Sequence, residues 1–362
     1  MAVDVCSFTT NNPLAADLSR LGIPCHLQNE RRIFEDRLVS VLRQVAQFRP
    51  TVVIANLSTP SYEVLRYLPD GIFRIAMAQS HDPGVYKQLQ CYSNVVDMAV
   101  GVSQTIRDTI AALPGFSNKR VEYLPYGVPM PPNLEREPRT DPLRILYFGR
   151  LDREQKRVHL FPQILDALEA SGIPFHWTIA GAGTEERLLK ETMRTKSPRQ
   201  TLSFPGKFSY SEIPGLLSSH DVFLLASDYE GLPLSLLEAM GRGLVPVVTD
   251  LESGIRDVVN ESNGFRVPVN DVPAYARAII TLHNDRGLLA RLSTAAHAHV
   301  SQRYAATAVA DKWLEMLHTV PPRTCQWPAS WRIKPILASP SPWRFHPLLR
   351  PVRRAISGLK RS

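Results

Sequence analysis

The sequence predicts an α/β protein of two domains, each a parallel sheet covered by helices. Three observations carry that expectation. Strand-like and helix-like segments alternate along most of the 362 residues, the pattern that parallel strands with crossover helices produce. A proline-dense interruption falls before the middle, with six prolines at 125, 129, 131, 132, 138 and 142. The length, with 44% hydrophobic residues, suits two cores of ordinary size rather than one.

Residues 1–128 form the first domain. Leu38, Val41, Leu42, Val45 and Phe48 share one helical face, and Pro50 stops that helix. Residues 51–57 (TVVIANL) read as a buried strand. Strands over Phe73–Ala78 and residues 98–102 follow, then a helix over 104–113. Residues 129–142 are the linker, because proline fixes φ and removes a donor, so the stretch forms neither helix nor central strand. In the second domain, 143–304, strands are expected at Leu143–Phe148, Phe175–Ala180, 201–204, 221–226 and Val245–Thr249. Helices near 158–170, 185–193, 211–218 and 233–240 lie between them, which fits an open doubly wound sheet. A closing helix over 305–320 places Val309, Trp313, Met316 and Val320 on one face, and residues 321–362 form a tail.

Composition narrows the function classes. With 21% charged residues and recurrent apolar stretches, the chain is not of the disordered class. The first ten residues carry neither a basic flank nor a long apolar stretch and do not read as a secretory signal. No window approaches the roughly 18 uninterrupted apolar residues of a spanning helix. Cys6, Cys25, Cys91 and Cys325 are scattered without paired spacing, which points to a reducing compartment and against a zinc site or disulfide framework. The expected location is the cytoplasm. The formal charge of +8 belongs to the tail, where nine Lys or Arg and no acidic residue leave 33 basic against 34 acidic residues before it. A nucleic-acid partner requires a basic face with interleaved aromatics on a folded domain. The body has no such excess, so no nucleic-acid partner is expected.

In an open parallel sheet, ligands bind beyond the carboxyl ends of the strands, where helix N-termini also point. The strand Leu143–Phe148 runs into Gly149-Arg150-Leu151-Asp152, with Lys156 six residues after Arg150. An Arg and a Lys bordering a helix start can clamp a diphosphate, each charge-assisted hydrogen bond contributing about 1.5–3 kcal/mol. Alone, the two cations fit a solvated surface equally well. Gly181-Ala182-Gly183 ends the strand Phe175–Ala180, and a tight turn before a helix explains it equally well. The informative stretch is residues 228–238, DYEGLPLSLLE. Glu230 and Gly231 form the turn after a strand, Pro233 sits where a first helical turn tolerates proline, and Glu238 lies on the helix. Backbone N–H groups near Gly231 to Leu234 face an anion, Pro233 having none. One carboxylate is placed to accept from sugar hydroxyls and the other from a ribose, since a carboxylate accepts from two vicinal hydroxyls at once. The plain alternative is a loop acid and a solvated helix residue.

These segments in this order resemble the C-terminal, donor-binding half of family 4 glycosyltransferases. The matching stretches are FGRLDREQK (148–156), IAGAG (179–183), FPGKF (204–208), EGLPLSLLE (230–238), MGRGLVPVVT (240–249) and NGFRVP (263–268). The resemblance implies the GT-B fold, two Rossmann-like domains facing across a cleft. It implies that Arg150 and Lys156 bind the donor diphosphate, that Glu230 contacts the transferred sugar and that Glu238 binds the ribose. It places Gly149, Gly181 and Gly183 at the donor, has backbone around Gly206, Lys207 and Phe208 cradle the base, and has Gly231, Leu232, Pro233 and Leu234 contact phosphate or sugar. The N-terminal half is a weaker match, through LSRLGIPCHL (18–27), residues 49–57, Gln79-Ser80-His81-Asp82, Gly101-Val102-Ser103 and Pro125-Tyr126-Gly127-Val128. By the same resemblance His81 reaches the sugar, joining Glu230, Arg150 and Lys156 as catalytic residues.

Three features depart from the family. The opening strand and glycine-rich loop are not found, so by this reading the N-terminal domain lacks its first strand-helix unit. The glycine usual after the phosphate-clamping lysine is Arg157 here, and the tail extends past the family core.

The resemblance further implies a sugar transferred from a nucleotide-diphosphate donor with retention of configuration and without a metal or other cofactor. The absence of an Asp-x-Asp motif agrees with the last point. The expected acceptor is a glycan or a lipid-linked glycan, with cell-envelope or exopolysaccharide synthesis as the setting. In the tail, basic residues among Leu348, Leu349, Val352 and Ile356 suit an anionic membrane surface, at about 1 kcal/mol per cation; a solvated extension is the alternative. A second reading, of another class, is a non-catalytic nucleotide-sugar-binding protein. A dinucleotide oxidoreductase is excluded because no strand leads into a full Gly-x-Gly-x-x-Gly turn.

Overall fold

The computed structural model of the chain describes residues 2–7, 15–28, 34–56, 59–131, 134, 142–197, 201–209, 211–321 and 325–333. Most of the expected linker, and the basic end of the tail with Leu348, Leu349, Val352 and Ile356, lie outside the described residues. The chain divides into two compact units. One comprises Met1–Gly101, Arg107–Glu122 and His318–Ser362, the other Val102–Ile106 and Tyr123–Leu317.

In the first unit the strand β1 (Val5–Ser7) pairs in parallel with β2 (Cys25–Leu27), on either side of the helix α1 (Ala15–Arg20). The sequence reading recognised no opening strand; at three residues, without an apolar run, β1 leaves no periodic signal. A second sheet has the order β3-β4-β5-β6, formed by Val52–Asn56, Phe73–Ala78, Met98–Gly101 and Arg120–Tyr123. Its inner strand β5 is buried throughout. The strand β3 corrects an expectation: TVVIANL reads as buried, yet Ile54 is 41% exposed because β3 stands at the edge of this sheet. The helix α2 (Phe34–Phe48) buries Leu38, Val41 and Leu42, the face its 3.6-residue period predicts. Residues 325–333 also pack on this unit, Trp331 Nε1 donating to the Tyr67 carbonyl at 3.2 Å and Ile333 being buried.

The second unit is built on six parallel strands, β7 (Leu143–Phe148), β8 (Phe175–Ala180), β9 (Leu202–Gly206), β10 (Val222–Leu225), β11 (Val245–Thr249) and β12 (Phe265–Val267). Their order across the sheet is β12-β11-β10-β7-β8-β9. The chain enters at the centre, travels outward to β9, returns to the centre at β10 and travels outward the other way. Strand order therefore reverses between β7 and β10, where the connections leave toward opposite edges and open a crevice. The strands β10 and β11 are buried along their whole length, as expected of central strands covered on both faces. Pro205 lies within β9, which an edge strand tolerates; that proline is why the sequence suggests an earlier stop. The three-residue β12 is a further strand the sequence reading did not separate from its loop.

Helix packing fixes the ends of these strands. The helix α6 (Phe161–Ser171) buries Phe161, Ile164, Leu165 and Leu168. The Phe161 ring lies 4.9 Å from Tyr147 and 5.2 Å from Trp177, centroid to centroid. Among the described residues no helix is long and apolar enough to cross a membrane.

Candidate functional site

The segment after β7 and the turn after β10 both start at the reversal of strand order, and side chains of the two meet there. Asp152 shapes the first. Its Oδ1 accepts from the backbone N–H of Gln155 and of Lys156, both at 2.8 Å, an aspartate-capped turn. The turn aims Lys156 at Glu230, with Nζ 2.5 Å from Oε1 and the two side chains 12% and 6% exposed. The fully buried Ser227 hydroxyl donates to the same Oε1 at 2.7 Å. On either side of this ion pair, Asp228 N–H donates to the Gln155 carbonyl at 2.8 Å. Gln155 Nε2 donates to the Tyr229 carbonyl at 3.2 Å, and Arg157 Nη1 lies 3.3 Å from Asp228 Oδ1. Three consecutive residues, 155 to 157, thus hold the three residues 228 to 230.

Arg150 stands at the rim of this arrangement. Its side chain is 67% exposed, it pairs with Asp152 Oδ2 at 3.0 Å and donates to Gln155, reaching the Glu230 turn only through that glutamine. Beneath the site Tyr147 is buried and donates to the Arg150 carbonyl. Burial pushes its phenol well up, and the nearby Asp152 and Glu230 charges add to that.

Gly231, Leu232 and Pro233 are buried, while Leu234, which opens the helix α9 (Leu234–Gly241), is 46% exposed. Gly254, at the start of the short helix α10 (Gly254–Val258), donates its N–H to the Gly231 carbonyl at 2.7 Å. A Cβ on Gly254 would lie 2.5 Å from that oxygen, so only glycine lets α10 support the turn. Glu238 is half-buried on α9. Burial raises its carboxyl above the ordinary range, and Arg242 partly offsets the rise.

Packing alone already requires glycine at two of the positions expected at the donor. A Cβ on Gly181 would fall 1.8 Å from the Gly149 carbonyl, and one on Gly183 would fall 2.1 Å from the Leu151 carbonyl. Gly149 N–H donates to Ala180 and Gly181 N–H to Gly206, at 3.0 and 2.7 Å. These glycines stitch three neighbouring loops together, and the amides of Gly149 and Gly181 are used within the protein. Gly206 adopts φ +83° with open space around it, followed by exposed Lys207 and half-buried Phe208.

His81 belongs to the first unit. Its Nδ1 lies 2.6 Å from the Tyr86 hydroxyl, and its neighbour Asp82 caps the helix α4 (Pro83–Cys91), accepting from Gly84 N–H at 2.7 Å. Among the described residues no group of three or more His, Cys, Asp or Glu is placed to share a metal ion.

Asp152, Gln155, Ser227 and Gly254 were not singled out from the sequence. Asp152 had a readable signal, an aspartate three and four residues before the amides it caps. Gly254 had none, because its requirement arises from a turn 23 residues away.

Because the folded value of Glu238 lies above the unfolded one, the folded state binds that proton more tightly. Replacement by glutamine removes a charge held where burial disfavours it. Glu238→Gln is therefore expected to raise the thermal midpoint near neutral pH, and the advantage to shrink as pH falls from the raised value through the ordinary carboxylate range. Calorimetric unfolding of both proteins between about pH 8 and pH 4 measures this.

Comparison with known proteins agrees with this geometry. Residues 134–299 match the family described as Glycosyl transferases group 1. WcaL of Salmonella typhimurium, whose name assigns it to colanic acid biosynthesis as a glycosyltransferase, is 32% identical over 187 residues, covering 49% of this chain and 46% of WcaL. Glycogen synthase of Mycobacterium tuberculosis is 30% identical over 225 residues, covering 60% of this chain and 54% of its own. The chain thus spans about half the length of these curated relatives. The crystal structure of Anabaena HepE in complex with UDP superposes with a TM-score of 0.70 at 15% identity, covering 88% of this chain and 100% of HepE. The strand order, the clasp between residues 155–157 and 228–230, and these matches lead to one conclusion: residues 134–299 are a group 1 glycosyl transferase domain, in a chain with the GT-B fold.

Proposed function

We propose that the chain is a retaining glycosyltransferase, moving a sugar from a nucleotide-diphosphate donor to a glycan or lipid-linked acceptor without a metal or other cofactor. The observation that carries this reading is the buried Lys156–Glu230 pair at the reversal of strand order. A lysine and a carboxylate already desolvated and side by side suit a ligand that is anionic at one end and hydroxylated at the other.

The chemistry follows from those two ends. The bond between the sugar anomeric carbon and the phosphate oxygen breaks, and its electron pair leaves with the diphosphate. Lys156, with Arg150 swinging in from the rim, offsets the charge that develops there. The acceptor hydroxyl forms the new bond on the face the phosphate leaves, and its proton passes to the departing phosphate oxygen. Glu230 holds sugar hydroxyls and Glu238 holds the ribose. The name of WcaL supports an exopolysaccharide setting, and the UDP in HepE makes uridine-diphosphate sugars the first donors to try.

Lys156→Ala and Glu230→Ala are each expected to lower turnover at least about a hundredfold, equivalent to about 2.7 kcal/mol. Removing one partner strands a buried charge at a cost of about 3–5 kcal/mol. Circular dichroism and the amide variants Lys156→Gln and Glu230→Gln therefore accompany the assay, run against a panel of UDP-, GDP- and ADP-sugars. Near-normal turnover in both alanine variants would show the site to be elsewhere; donor binding without turnover in the wild type would favour a non-catalytic binding protein.

The location proposed is cytoplasmic, peripheral at the inner face of the membrane through the basic tail. A chain ending after residue 333 keeps Trp331 and Ile333 on the first unit while removing the basic end. It should lose co-sedimentation with vesicles containing anionic lipid; equal sedimentation of the two chains would remove the membrane role.

A further inference from the structure

Arg157 adopts a left-handed backbone conformation that glycine favours, φ 50° and ψ 36°. An L-residue is held there only where its surroundings compensate. Its side chain is 14% exposed. The guanidinium lies 3.3 Å from Asp228 Oδ1 and also donates to Asn270 Oδ1, and Asn270 is itself left-handed, with φ 68°. One cation therefore joins three loops, those after β7, β10 and β12. A planar guanidinium holds two acceptors on different loops in fixed geometry, which a lysine ammonium does not reproduce. Without Arg157, the Asp228–Tyr229 backbone is held to residue 155 by the two Gln155 hydrogen bonds, beside the Lys156–Glu230 pair.

We propose that Arg157 is a positioning residue, which anchors Asp228 to Asn270 and thereby holds the Glu230 carboxylate in place at Lys156. This rests on the donor site proposed above. The competing role, a third cation for the diphosphate, is disfavoured because the guanidinium is nearly buried and already engaged by a carboxylate and an amide oxygen.

The test uses the full chain and the variants Arg157→Gly, Arg157→Lys, Asp228→Asn and the Arg157→Gly/Asp228→Asn double variant. Arg157→Gly relieves the left-handed backbone, so its thermal midpoint should match or exceed the wild type. Amides of residues 226–232 should nevertheless exchange with deuterium at least about tenfold faster, the rest of the second unit being unchanged. With a nucleotide-sugar donor, kcat should fall about tenfold with KM within about twofold. Arg157→Lys should not restore it, and the double variant should be no worse than Arg157→Gly. Unchanged exchange at 226–232 overturns the proposal, as does a raised KM with kcat intact, which would make Arg157 a donor ligand. If the wild type neither binds nor turns over any nucleotide sugar, the donor-site reading fails, while the exchange experiment still decides whether Arg157 braces the turn.

Discussion

An ammonium and a carboxylate 2.5 Å apart, both almost entirely removed from water, impose conditions on everything around them. Desolvating two charges costs several kcal/mol per ion, and their attraction offsets this only with good geometry and further hydrogen bonds. The surrounding residues meet those conditions. Ser227 supplies a second donor to the carboxylate, and Asp152 fixes the backbone from which the lysine projects. The pair lies where strand order reverses between β7 and β10. In water the same two side chains would attract each other weakly. Removed from water, as here, they attract each other far more strongly.

Close backbone contacts in the second unit hold the neighbouring loops together. Loops following β7, β8 and β9 interlock through backbone hydrogen bonds at distances that exclude a Cβ at Gly181 and Gly183, and Gly254 performs the same service for the turn at Gly231. The turn carrying Glu230 is thus held from both sides, by residues 155–157 and by Gly254. Glu238 shows the cost of building such a place. Its half-buried carboxyl is pushed up by burial, with Arg242 offsetting part of the rise.

Local pattern sufficed where the cause is local. The apolar run before Ser227, the glutamate-glycine turn and Pro233 together announce a strand, a turn and a helix, and Lys156 and Glu230 do meet as their flanking elements suggest. What the sequence concealed depends on contacts between distant segments. The expected doubly wound sheet leaves open which strands adjoin, and it is the return of β10 to lie beside β7 that brings residue 156 to residue 230. The packing need for Gly181 and Gly183 was hidden too, because a glycine required by a neighbouring carbonyl looks the same in sequence as one in any tight turn. Ile54 read as buried since edge position is a property of the sheet. The three-residue strands β1 and β12 are too short for any period. Arg157 was visible as a departure from the family, but its bond to Asn270 spans 113 positions and could be seen only in three dimensions.

A crystal structure of the chain with an intact nucleotide-sugar donor tests the central claim most directly. The diphosphate should lie within hydrogen-bonding distance of Lys156 Nζ, with sugar hydroxyls on Glu230 and the ribose on Glu238. A donor seated elsewhere, leaving the Lys156–Glu230 contact undisturbed, would contradict it.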